Sequence, residues 1–191
     1  MRKWLVQLAA PLLVAALLLA GAVELGRRAR QDLTPGPRHT LAFSSIDCTP
    51  PGPLSREDFL GEVQYLAGLP DQLNLLDERL PDRLVRAFAG HPWVQVVQRL
   101  DVTAAPKVRV QLHYRTAVLG VQRGGVLRAV DAHGVLLPAT AATEGLPVFR
   151  GRVGRPDGPE GTVWNDPALL AAARTAAFLS GEQGRLKLAG V

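Results

Sequence analysis

The sequence predicts an α+β protein: an N-terminal transmembrane helix, a β-α-α-β-β domain, and then a β-rich unit with one helix. Three observations carry that prediction. Residues Trp4 to Val23 form a run without charge, Leu76, Leu80, Leu84 and Phe88 recur every four residues, and from Val94 the apolar period falls to two. A period near 3.6 marks one face of a helix, and a period of two marks one face of a strand.

Length and composition narrow the function classes. A chain of 191 residues has room for an anchor and one ordinary domain or two small ones, which excludes a large enzyme core. The residues are 47% hydrophobic but only 5% aromatic, so the core must be built mainly from Ala, Val and Leu, and disorder along the whole chain is excluded. The net charge of +5 and pI near 10.1 invite a nucleic-acid partner. However, Arg2, Lys3, Arg27, Arg28 and Arg30 against Glu24 place +4 in the first 30 residues and leave +1 for the rest. Nucleic-acid binders concentrate charge on the folded domain, whereas here it flanks an apolar run as it does at membrane helices.

The elements follow in order. The uncharged run reaches the ~20 residues that a spanning helix needs, and residues 4–25 are expected to be a transmembrane anchor behind a cytoplasmic tail at 1–3. A cleavable signal peptide ending near Ala20-Gly21-Ala22 is the competing reading; the length of the run favours the anchor. Residues 26–40, with Thr34-Pro35-Gly36-Pro37, read as a linker. A strand over Leu41 to Cys48 ends at Pro50-Pro51-Gly52-Pro53. Ser55 and Asp58 have capping-box spacing ahead of Phe59, Leu60, Val63 and Leu66, which predicts a helix from about Ser55 to Ala67. The Leu76-to-Phe88 series predicts a second helix, with Pro81 in its first turn and Gly90 and Pro92 at its end.

Val94, Val96, Leu100 and Val102 are expected on one face of a strand that pairs with a second one carrying Val108, Val110, Leu112 and Tyr114. The opposite face of that second strand presents Lys107, Arg109, Gln111, His113 and Arg115, either as a solvated surface or as an edge for a partner strand. Gly124-Gly125 joins two further strands, 117–122 and 126–130, in a turn suited to positive φ, and Asp131-Ala132-His133-Gly134 turns again before Val135. Asn165 or Asp166 as cap, Pro167, and Gly181 past the end frame a third helix, Ala168 to Ser180, before an alternating strand at Leu186 and Leu188.

The words His91-Pro92-Trp93-Val94, Val108 through Arg115, Val130 through Pro138 and Leu146-Pro147-Val148, set in the order strand, helix, helix, strand, strand, resemble the FtsQ/DivIB family of bacterial cell-division proteins. The resemblance implies a polypeptide-transport-associated (POTRA) domain at 41–115 and an FtsQ-like β domain at 116–191. It implies a bitopic protein of the cell inner membrane, with its N-terminus cytoplasmic and its main domains periplasmic or extracytoplasmic. Such a protein is a non-enzymatic scaffold of the divisome, linking division proteins during septum formation, with FtsB/FtsL-like partners. Two departures stand out. Thr116-Ala117-Val118 holds no proline where the family tends to place one. The family's β domain continues with further strands, so 116–191 is expected to be an incomplete domain with an exposed strand edge. The alternatives are a POTRA-like module of an export or outer-membrane assembly system, and a non-functional fragment of a division protein.

No catalytic, cofactor-binding or metal-ligating residue is expected. His39, His91, His113 and His133 show no metal-ligand spacing, and the glycines 151, 154, 158 and 161 lack the Lys-Ser/Thr of a phosphate loop. No Gly-x-Ser-x-Gly elbow is present. Asp77, Glu78 and Asp82 sit where a helix dipole favours them. The single cysteine, Cys48, excludes an internal disulfide and reads as a small buried residue at a strand end.

Overall fold

A computed structural model of the chain describes residues 17–26, 39–103 and 107–188, with side chains as far as Ser180. Residues 1–40 and 41–191 form separate units. In the first, 17–26 are helical. Among the described residues no helix is long and apolar enough to cross a membrane. The expected transmembrane helix at 4–25 is corrected accordingly, and with it the expected single-pass placement in the inner membrane. Residues 1–3, 4–16 of the apolar run, and most of the expected linker lie outside the described residues.

Strand β1 (Thr40–Ala42) leads into the second unit and is followed by a 3-10 turn, Phe43–Ser45, and helix α1 (Arg56–Ala67). Ser55 caps α1: its Oγ accepts from the Asp58 amide at 3.1 Å and donates to the Asp58 carboxylate at 2.6 Å. Gly68 closes the helix in the left-handed region, at φ +59. A short strand β2 (Gln72–Asn74) pairs with β1, an element the sequence did not reveal.

Helix α2 (Leu80–Ala89) starts after the expected Leu76. Asn74 Oδ1 accepts from the Leu76 amide at 3.0 Å, and Asp77 Oδ1 from the Arg79 amide at 2.9 Å; these local bonds hold a turn that leaves Leu76 exposed. Leu80, Leu84 and Phe88 keep their shared face and are buried.

Strands β3 (Val94–Thr103) and β4 (Lys107–Tyr114) pair antiparallel, and Asp47 bridges to Arg109 on the far side of β4 in parallel. β4 alternates as expected, with Val108 and Val110 buried and Lys107, Arg109, Gln111 and His113 exposed. β3 departs from strict alternation. Register shifts lie between Val94 and Val96 and between Val97 and Arg99. Each bulge adds one residue and reverses the phase, so the two together restore it. Val97, opposite Leu112, therefore joins Val94 and Leu100 on the core while Val96 points outward at 49% exposure. The core between the helices and this sheet holds Phe43, Phe59, Val63, Leu84, Phe88 and Val108, all nearly inaccessible. Burial of each such side chain contributes about 1.5–3 kcal/mol.

Beyond β4, strands β5 (Leu119–Arg123) and β6 (Val126–Val130) form a hairpin on Gly124 and Gly125, both at positive φ as their turn requires. Strand β7 (Val148–Phe149) lies parallel to β5 on its other side. Helix α3 (Pro167–Leu188) covers this sheet with Leu169, Ala173 and Ala176, packed among Val121, Val130 and Trp164. Asp166 caps it, accepting from the amides of Ala168 and Leu169. The helix does not stop at Gly181, and the strand expected at Leu186 and Leu188 is helical backbone. A glycine inside a helix costs only about 1 kcal/mol, and no proline follows to end it.

Candidate functional site

The surface best placed to meet another chain is the β3–β4 sheet. Asp47 occupies the outer side of β4, so β3 is the strand at the edge, and among the described residues no strand pairs with its outer side. This refines the expectation of a partner edge on the charged strand, because β4 lies inside the sheet. The two bulges interrupt the regular strand over its first half, leaving 99–102 as the regular stretch. Bulges of this kind restrict which strands an edge accepts.

Charged side chains on the outward face of the sheet pair with one another. Arg109 Nε donates to Asp47 Oδ2 at 3.0 Å and Lys107 Nζ stands 3.8 Å from the same oxygen. The hydrogen bond from Arg109 holds the Asp47 carboxyl below the usual carboxylate range, against a weaker opposing effect of desolvation. Arg99 Nε meets Asp101 at 2.8 Å along β3. Such exposed pairs add little stability, but they fix a charge pattern along the edge.

The fifth member of the expected charged face, Arg115, is elsewhere. Its Nη1 lies 2.8 Å from Asp131 Oδ2, and the two side chains are 17% and 4% exposed. Asp131 Oδ1 also accepts from the amides of His133 and Val135, at 2.8 and 2.9 Å. Trp93 is buried in a separate cluster with Ala129, Leu137 and Ala141 of the β-rich region, apart from the core between helices and sheet. His91 is buried before it, its Nε2 3.0 Å from Glu62 Oε2 and its Nδ1 accepting from the Trp93 amide at 3.3 Å. Gly161, at φ +88, lies so close to Pro92 that a Cβ there would fall 3.0 Å from its Cα. The words His91 to Val94 and Val130 to Pro138 therefore meet in space. The signal missed in the sequence was Asp131 itself, whose turn role was plain but whose burial was not.

The remaining candidates stay apart. His39 and His113 are exposed, and His133, 64% exposed, stands 4.0 Å from Asp131. Cys48 is buried, and that burial pushes its thiol up to about 11, far from a reactive thiolate. The segment 151–160 is mostly exposed. Among the described residues no group of three or more His, Cys, Asp or Glu could hold a metal ion. An open groove of about 570 Å³ runs between α3 and the β5–β7 side, lined by Leu119, Leu146, Pro147, Ala172, Ala176 and Leu179.

No protein-family model, curated protein or solved structure matches the chain.

Proposed function

We propose that the chain is a non-enzymatic scaffold of the FtsQ/DivIB type, which links proteins of the bacterial division machinery by binding them. One observation carries this reading: the residues behind the resemblance form one structural joint. Trp93 packs against Ala129 and Leu137, and Arg115 pairs with Asp131. Residues that build a joint and no reactive site fit a shared scaffold better than a shared reaction. Partner binding through the edge of β3 fits the regular stretch at 99–102, where main-chain groups give affinity and the Arg99 and Asp101 charges give selectivity. FtsB/FtsL-like proteins are the partners that the resemblance implies.

The test is a photo-crosslinking residue placed at Arg99, with exposed Tyr65 on α1 as the control position, in dividing cells of the chain's own source. Capture of a division protein from position 99 and not from 65 is expected. Equal capture from both, or none from 99, would remove β3 as the docking edge.

A further inference from the structure

His91 is 2% exposed, yet both of its ring nitrogens are engaged. Nδ1 accepts from the Trp93 amide, while Nε2 faces the Glu62 carboxylate of α1. The two bonds together require the neutral tautomer with its hydrogen on Nε2. A second proton would have to sit on Nδ1, where it would point at the Trp93 N–H, donor against donor.

The consequence reaches the joint, because the next residues are what the β-rich region packs against. Trp93 lies among Ala129, Leu137 and Ala141, and Gly161 abuts Pro92. We propose that His91 is a proton-operated latch: when it takes up a proton, the Trp93 amide loses its acceptor and the β-rich region 116–180 loosens from the β3–β4 sheet while the helix-and-sheet core stays folded.

The groups around the ring set the direction. Burial holds the His91 pKa below its ordinary 6.5, and the hydrogen bond and charge of Glu62 oppose this from α1. Glu62 is the charged group, among the described residues, that acts on the ring. Phe59 of α1 meets it edge-on at 4.8 Å, and Tyr114 of β4, which meets the same Phe59, donates its hydroxyl to the Thr49 carbonyl. Within the joint Arg115 Nη1 pairs with Asp131 Oδ2. A base whose folded pKa lies below its unfolded one adds stability above about pH 6.5 and loses it as pH falls from there toward the folded value. The latch is therefore closed at neutral pH and opens on the acid side.

Nuclear magnetic resonance of the full chain between pH 7.5 and 4.5, with amide exchange corrected for intrinsic rates, tests this. Nuclear Overhauser contacts between the Trp93 ring and the Leu137 methyl groups report the joint; the Val110 amide, bonded to Asp47 at 2.9 Å, reports the core. The Trp93–Leu137 contacts should weaken as the pH drops while protection at Val110 holds. Glu62→Gln, at a half-exposed position, removes the group that favours the proton in the closed state and should move that transition to higher pH. His91→Asn, whose Oδ1 still accepts from Trp93 but takes up no proton there, should abolish it. Simultaneous loss of the Trp93–Leu137 contacts and of Val110 protection, or an unmoved transition in Glu62→Gln, would overturn the proposal.

Discussion

Arg115 and Asp131 form a buried ion pair: Nη1 to Oδ2 is 2.8 Å, with the carboxylate 4% exposed. The arginine directly follows the last strand of the β-α-α-β-β region and the aspartate opens the turn after the β5–β6 hairpin, so one contact ties the two sequence regions. Asp131→Ala would strand Arg115 and two amides at once. It should lower the unfolding free energy by about 3–5 kcal/mol, the range for removing one partner of a buried pair. Asp131→Asn should lose less, because its amide oxygen still accepts from His133 and Val135. Urea unfolding of both variants checks the order, which equal losses would contradict.

Gly134 and Gly124 both hold positive φ, at +73 and +57, but differ in space. A Cβ on Gly134 would fall 2.3 Å from Leu170 Cδ2 of α3, whereas one on Gly124 meets nothing within 4 Å. Gly124→Ala should cost about 1 kcal/mol from backbone strain alone. Gly134→Ala should cost more, about 2 kcal/mol, since the Leu170 side chain must also turn away. Thermal midpoints of the two variants give the comparison.

Cys48 is buried, with its thiol raised to about 11 chiefly by desolvation. At pH 8 the folded chain should react with an aromatic disulfide reagent at least a hundredfold more slowly than the chain in urea. Fast labelling of the folded chain would mean that the segment carrying Asp47 and Cys48 is loosely held.

Gly181 lies inside α3, not beyond its end. Gly181→Ala should therefore stabilise the chain, by about 0.5–1 kcal/mol, whereas the same change at a left-handed helix terminus would destabilise it. Circular dichroism through the thermal transition distinguishes the two signs.

The sequence made legible those features that short-range chemistry decides. The Ser55–Asp58 cap, the Gly124-Gly125 hairpin and the alternation of β4 stand where the residues placed them. What it concealed depends on partners distant in the chain. Nothing local distinguishes Arg115 from Arg109, yet one is buried against Asp131 and the other lies on the surface beside Asp47. Val96 and Val97 exchange faces because β3 bulges against β4, an outcome of pairing and not of period. Gly181 has the composition of a stop signal, but the residues after it continue the helix. The length of an apolar run likewise did not establish a membrane-crossing helix among the described residues. Of the candidate site, the charged face of β4 was visible, while the edge at β3 and the joint at Trp93 required the fold.

The central claim, a binding scaffold of bacterial division, is tested most directly by where the chain goes. A fluorescent fusion of the full chain, confirmed intact by blotting and imaged in dividing cells of its own source, should gather at the division site. An intact fusion spread evenly through dividing cells would contradict the claim.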